Sequence, residues 1–362
     1  MKKRILFGIL LLVGIICVLS AAPALEAAGA CSTTLAPGDD IQAAINGAAP
    51  GDVICLTAGT YTPAAMITVG QSVTLQGPQA DVDPRPGAGT SRTPGSAAEA
   101  ILDGSSGNLS TILNITASDV VVNGLELRNA RGDMVASPSG SGIANFTLRY
   151  NILRNAGDEG AQIRDCAGCV LEYNYVPDVA QDGLNLCCGS TDGTIQFNEI
   201  HNNGSENGAI YVYDAANTTI QGNLVYDALG NDGIKLGDKN GSDAGGVGGA
   251  VLNNVVHDTV QDSISIYMSD ALVEGNEVYN SGSENGAIYV AYGVSNVTIR
   301  HNHIHDNALA TGKWGDPGGI TIGTAVNAAT LAVHDNCLVN NSPNGLSNKA
   351  AGLLDAENNW WG

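Results

Sequence analysis

Long apolar runs are missing from this sequence beyond its first thirty residues, and a chain of 362 residues with 47 Gly shows no obvious large core. Packing in which extended hydrophobic segments bury one another is therefore not expected. Repeats that each bury a face on the next are the form to look for first. Cations are scarce as well, 15 Lys and Arg against 36 Asp and Glu for a net charge of −21. Nucleic acid, which needs a basic stripe to hold its phosphates, is excluded as a partner. A polyanionic sugar would bind only locally, or through a bridging cation such as Ca²⁺. Otherwise the acidity serves solubility in an extracellular setting.

Asparagine carries the period. A few strand-like residues, an Asn, one variable residue and an aliphatic recur at Asn151, Asn174, Asn198, Asn223, Asn254, Asn276, Asn302, Asn336 and Asn359, with Gly124 read into the same slot. Successive spacings are 27, 23, 24, 25, 31, 22, 26, 34 and 23, and insertions at 237–249 and 308–319 account for the two long ones. Helical solenoids need two helices and about 33 residues or more per unit, so parallel coils of short strands are expected instead. Stacking sets each Asn above the next, with amides bonding along the axis inside a bend. A second column, Asn155, Asp178, Asn202, Asp227, Asp258, Asn280, Asp306 and Asn340, reads as turn chemistry, which makes its carboxylates poor catalytic candidates. Aliphatic partners such as Leu148/Leu153, Leu171/Val176, Ile195/Ile200 and Val273/Val278 are expected to stack inward as the core.

The start of the repeat region runs Pro37-Gly38-Asp39-Asp40-Ile41-Gln42-Ala43-Ala44-Ile45, then Pro50-Gly51-Asp52-Val53-Ile54, then Ala58-Gly59-Thr60-Tyr61. It resembles the entry into right-handed parallel β-helix proteins of the pectate-lyase-like superfamily. That resemblance covers nearly all of residues 31–362 and implies an all-β solenoid. Asp40 to Ala48 would then be a short amphipathic helix capping the open end, so that residues 31–60 form the cap and first coil. The ending Glu357-Asn358-Asn359-Trp360-Trp361-Gly362 resembles a motif that normally continues further, so a truncated C-terminus is expected. The Pro/Gly/Ser-rich residues 77–100 read as a loop excursion. No residue roles carry over, because the paired-Asp and Gly-His-Gly signatures of polygalacturonases, the Arg-x-Pro-x-x-Arg segment of pectate lyases and the Asp-Pro-His-Glu run of alginate epimerases are all lacking.

Export follows from the N-terminus. Lys2, Lys3 and Arg4 precede an apolar run from Ile5 to Leu19 and small residues ending Ala28-Gly29-Ala30, the grammar of a cleaved signal peptide over 1–30. An apolar core of about fifteen residues falls short of the roughly twenty that a membrane span requires. The mature chain, 31–362, is expected to be secreted or at the cell surface, free of the membrane and monomeric. Disulfides are then the default for its cysteines. Cys31 and Cys55 flank the first coil and are expected to pair. Cys166/Cys169 and Cys187/Cys188 lie about one repeat apart, so bridges between adjacent coils are expected, with a zinc site from the same thiols as the alternative. Cys337 is left over.

Each coil has one further strand, opened by a carboxylate or amide before a small residue: Glu159-Gly160, Asp182-Gly183, Asn207-Gly208, Asp232-Gly233, Asp262-Ser263 and Asn285-Gly286. With Ile234 and Leu236 inward, alternation puts Gln162, Asn185, Tyr211, Lys235, Ser265, Tyr289 and Thr321 in one outward row. Arg164, Tyr213 and Tyr267 form a parallel row two residues on. Flat rings and fixed polar groups suit an extended sugar, so Tyr211, Tyr213, Tyr267, Tyr289, Asn185 and Arg164 are candidate substrate-binding residues. A bland decorated face is the alternative, since Tyr favours strands anyway. Gly-Ser-Glu-Asn-Gly-Ala-Ile-Tyr-Val occurs at 204–212 and again at 282–290, an offset of 78 residues or three coils. Duplication explains it, or a repeating polymer that meets both copies.

Lys235, Asp232 and Asp262 are the candidate catalytic residues, and Asp238, Asn240 and Asp243 in the following Gly-containing loop are candidate Ca²⁺ ligands. A β-eliminating lyase needs a base for the proton beside a uronic carboxylate and a cation to neutralise that carboxylate. Hydrolysis would instead use two carboxylates, for which Asp182, Glu206, Asp232 and Asp262 are available. The plain alternative is a salt-bridged surface Lys beside a Gly-rich loop. His301, His303 and His305 alternate, as chelating residues on a straight strand would. Asn302 bends that strand, however, and His201, Tyr226, His257 and Tyr279 complete a column of mixed rings. The expectation is a secreted β-helix binding, and as a lyase or hydrolase cleaving, extended extracellular polysaccharide along one lateral face. The competing class is a non-catalytic cell-surface or adhesive repeat module.

Overall fold

A computed structural model describes residues 29–90, 92–204, 207–230, 232–237, 246–283, 285–291, 293–309 and 315–362. Its short strands pair in parallel with the equivalent strand one coil away, which builds three sheets along the molecule. Sheet A runs from Thr33–Leu35 to Ala332–His334, sheet B from Gly59–Tyr61 to Trp360–Trp361, and sheet C from Ile67–Val69 to Asn344–Asn348. The chain is a parallel β-helix, as its period requires.

Strand alternation sends one aliphatic per strand inward. Leu148, Leu171, Ile195, Ile220, Val251, Val273, Ile299 and Val333 fall in direct register and are buried. A fully buried side chain of this kind contributes roughly 1.5–3 kcal/mol, and the column supplies one per coil.

The asparagine ladder occupies the bend between sheets A and B. From Asn151 to Asn359 each side-chain amide donates to the Oδ1 of the next coil's Asn at 2.9 to 3.2 Å. The same Oδ1 also accepts from the preceding ladder residue's backbone N–H, as Asn223 does from Asn198 at 2.9 Å. Buried backbone groups at a sharp bend are thereby satisfied without solvent. Gly124 is not in this ladder. Leu125 donates its N–H to Asn151 Oδ1 at 3.0 Å and holds the slot, while Gly124 occupies the preceding position. That position is left-handed from Gly124 onward, with φ of 70° at Gly124, 53° at Tyr150, Tyr173 and Phe197, and 56° at His301. Non-glycine residues resist this conformation. Here the ladder over-determines it, and the displaced rings stack, Tyr150 on Tyr173 at 5.0 Å and Tyr173 on Phe197 at 5.1 Å. The second Asn/Asp column is likewise left-handed throughout, from Asn155 to Asn340.

The capping helix is Ile41–Gly47, started by Asp40, whose carboxylate accepts from Ala43 N–H, and anchored by buried Ile41 and Ile45. Gln42 then does what a neighbouring strand would: its amide nitrogen donates to Thr68 O at 3.0 Å and its amide oxygen accepts from Thr68 N–H at 2.7 Å. The first edge of sheet C is closed by a side chain that imitates a peptide. The described residues of 77–99 contain no strand and fold back on the coils, with Arg92 paired to Glu99 in a buried contact of 2.9 Å. Among the described residues no helix is long and apolar enough to cross a membrane.

Cys31 pairs with Cys55 as expected. The other four cysteines do not bridge coils: Cys166 pairs with Cys169 and Cys187 with Cys188. The reason is register, because Cys187 lies opposite Arg164 while Cys166 lies opposite Ile143 in an outlying strand. All four thiols are consumed, so they offer no zinc site. Cys337 is the free cysteine among the described residues.

Candidate active site

Sheet C carries the candidate residues, and its register aligns Gln162, Asn185, Tyr211, Lys235, Ser265, Tyr289 and Thr321 on successive coils. The second row passes Arg164, Cys187 and Tyr213. Gly237 and Tyr267 continue it, tied to Val212 O and Leu236 O at 2.7 Å each. Gly237 brings no side chain to that row between Tyr213 and Tyr267.

The row is covered except at the half-buried Tyr289: Lys235 is 5 % exposed, Tyr211 4 % and Asn185 2 %. Lys235 Nζ lies 4.9 Å from the centre of the Tyr211 ring and 5.5 Å from that of Tyr267. Two ring faces around the Lys235 amino group suit a cation and leave it placed to pair with an anion. Tyr211 stacks on Tyr213 at 4.6 Å, and Tyr289 meets Tyr267 edge-on at 6.1 Å. The Cys188 sulfur lies 3.2 Å from the Tyr213 hydroxyl, so the disulfide of adjacent cysteines helps to place that ring.

The strands of Lys235 and Ser265 also carry an acidic pair at their start. Asp232 and Asp262 are register neighbours, both buried. Ser265 donates to Asp232 Oδ2 at 2.5 Å, and Ser283 donates to Asp262 Oδ1. Burial first, and then the charge of Asp232, push the Asp262 carboxyl well above the ordinary carboxylate range. Asp182 is raised too, by burial, although it accepts from the N–H groups of Asn207 and Gly208 at 3.0 and 3.1 Å. Asn207 and Asn285 therefore do not share the column of the acids, as their spacing suggested. Gly208 and Gly286 take those positions, and the small-residue slot passes to Ala209 and Ala287.

Lys235, Asp232, Asp262, Tyr211, Tyr213, Tyr267 and Tyr289 come together on neighbouring coils. Asn185 lies one coil before Tyr211 and donates to Asp182 at 3.3 Å. Arg164 stands apart, three coils before Gly237, or about 14 Å at the inter-strand spacing. Asp238, Asn240 and Asp243, with Glu206, lie outside the described residues. A cleft of 410 Å³ opens elsewhere, between the capping helix and Tyr61 to Ile67, and holds none of the candidates.

Asp133 and Asp158, with Glu159, were not legible as a group. Their carboxylate oxygens lie within 4.8 Å of one another, and burial, with a hydrogen bond that the protonated Glu159 donates to Asp133, pushes Glu159 up to about 10. The signal was present in register, since Glu159 precedes Asp182 in the acidic column.

The family model for the right handed beta helix region matches residues 135–294. The A-module of Azotobacter vinelandii mannuronan C-5 epimerase AlgE4 is similar in structure at a TM-score of 0.63 and 16% identity, covering 91% of this chain and 100% of that one. DFA-IIIase from Arthrobacter chlorophenolicus A6 gives 0.58 at 14% identity, with 86% and 83% covered. Pectate lyase Pel9A gives 0.55 at 13% identity, with 85% and 80% covered. No curated protein matches the chain in sequence. At such identities the likeness establishes the fold, and roles must come from the site.

Proposed function

From a right-handed parallel β-helix of the pectate-lyase-like kind, we propose that the chain binds an extended, acidic extracellular polysaccharide along the sheet C row and cleaves it there. The observation that carries this reading is Lys235 held between the rings of Tyr211 and Tyr267, on the strand that opens with the buried Asp232 and beside the coil of the buried Asp262. An ammonium set among ring faces suits a sugar that presents a carboxylate between apolar ring surfaces. Asp262, held well above the ordinary carboxylate range by burial and by Asp232, gives the site a carboxyl suited to donating a proton. The solved structures of similar fold that are named for a mannuronan epimerase and a pectate lyase support a polysaccharide substrate. Ca²⁺ belongs to the reading through Asp238, Asn240 and Asp243, whose oxygens would bridge a polyanion to an acidic protein. Export as a monomeric mature chain, 31–362, is part of it too, supported by three disulfides.

A panel of extracellular polysaccharides, with and without Ca²⁺, tests the proposal. Unsaturated product from the wild type and its loss in Lys235→Ala are expected for the lyase form, and new reducing ends without unsaturation would mark a hydrolase. Absence of both binding and cleavage across the panel would overturn the carbohydrate reading. The second reading, a non-catalytic adhesive module, is favoured by the burial of Lys235 and predicts binding without product.

A further inference from the structure

Sheet B carries an arrangement that the sugar reading leaves unused. Its strand His303–His305 sends both imidazoles to one side, with ring centres 4.2 Å apart, and parallel register sets Glu277 opposite His303. Glu277 Oε1 lies 3.3 Å from His305 Nε2 and 3.8 Å from His303 Nδ1. One ligand atom from each of the three falls within 4.8 Å of the others. A tetrahedral zinc with bonds of about 2.0–2.1 Å separates its ligand atoms by roughly 3.3 Å. The two Glu277 distances stand within about half an ångström of that spacing.

His305 is also oriented from behind. Its Nδ1 lies 2.8 Å from the Asp306 carboxylate, and the ring of Tyr279 stacks on it at 5.1 Å. A carboxylate on Nδ1 fixes the tautomer that leaves the Nε2 lone pair facing Glu277, the outer-shell support that imidazole ligands characteristically receive. His301, the third alternating histidine, is displaced by its left-handed backbone and pairs with Glu274 at 3.2 Å. Two imidazoles and one carboxylate are a poor set for Ca²⁺, which takes six to eight oxygens. They are a good set for a borderline-soft dication.

We propose that Glu277, His303 and His305 form a Zn²⁺ site on the sheet B face, separate from the sheet C row, with the fourth position open to solvent. The half-exposed side chains of Glu277 and His303, at 46% and 50%, let the ion enter without unfolding. Titration calorimetry of the chelator-stripped full chain with ZnCl₂ tests this. One Zn²⁺ per chain is expected, unaffected by Ca²⁺. Affinity should fall at least tenfold in Glu277→Gln, and binding should be lost in the His303→Ala/His305→Ala double variant. His257→Ala, on the same ring column, and Cys337→Ser, in the adjoining strand, should both retain it. The proposal is overturned if the wild type takes up no Zn²⁺, if the double variant binds as the wild type does, or if Cys337→Ser alone abolishes binding. Circular dichroism of each variant separates loss of the site from loss of fold.

Discussion

Asp262 is wholly buried beside a second acid, and its pKa rises for two separate reasons: no water solvates the anion, and Asp232 opposes a second charge. In the unfolded chain its carboxyl ionises near the ordinary 3.8. In the folded chain it keeps its proton to a much higher pH. Across that interval folding takes up a proton, so the group's contribution to stability is intact below about pH 4 and is eroded as pH rises toward the folded pKa. Asp262→Asn keeps the shape and the Oδ1 that accepts from Ser283, and removes the titration. Melting temperatures followed from about pH 5 to about pH 8 should decline in the wild type and decline less in Asp262→Asn. The variant should not become flat, since Asp182 and Glu159 are raised as well. Identical slopes would show that Asp262 is ionised in the folded chain.

The elements of this fold are single strands of a few residues, each meaningful only against its neighbour, and the first strand of each sheet has a neighbour on one side only. Sheet C solves this at Thr68 with the side chain of Gln42. Gln42→Ala should cost about 1–3 kcal/mol, the loss of two hydrogen bonds with one backbone N–H left partly buried and unpaired. It should also leave a strand edge able to template pairing. Urea unfolding and sedimentation velocity would read the two effects, and an unchanged midpoint with no larger species would rule out the capping role. This element-scale device was only half legible: the helix was visible in Asp40 to Ala48, but nothing in the spacing distinguishes Gln42 from any exposed polar residue. Period and row membership were legible because parallel register preserves sequence offset. Where an offset changes by one, the reading slipped by one, as at Gly124 and at Asn207. The cysteines failed for a related reason, since a register break between Cys187 and Ser190 lets adjacent residues pair locally. Burial of the Lys235 row was invisible because an outward side chain is exposed only if no neighbouring ring folds over it.

At the scale of the molecule, a screw turns sequence duplication into vertical repetition, and the two Gly-Ser-Glu-Asn-Gly-Ala-Ile-Tyr-Val segments should present equal surfaces. They do not. Both follow a buried acid that accepts hydrogen bonds from the segment, Asp182 in one case and Asp262 in the other. Yet Tyr211 is buried and stacked flat on Tyr213, whereas Tyr289 is half-buried and edge-on to Tyr267. The cause lies two residues on, where the first copy has Tyr213 and the second has Ala291. Tyr289 is the less buried of the two rings, while Tyr211 lies against Tyr213 and the Lys235 ammonium. On the sugar-binding reading, Tyr289→Ala should weaken polysaccharide affinity roughly tenfold, about 1.4 kcal/mol, with little change in melting temperature. Tyr211→Ala should lower the melting temperature by removing a buried ring, a change that typically costs several kcal/mol in a core. Calorimetric binding and thermal melts on the two variants decide it. Loss of affinity confined to Tyr211→Ala, at unchanged stability, would mean that a ligand enters beneath the rings toward Lys235 and does not lie across them.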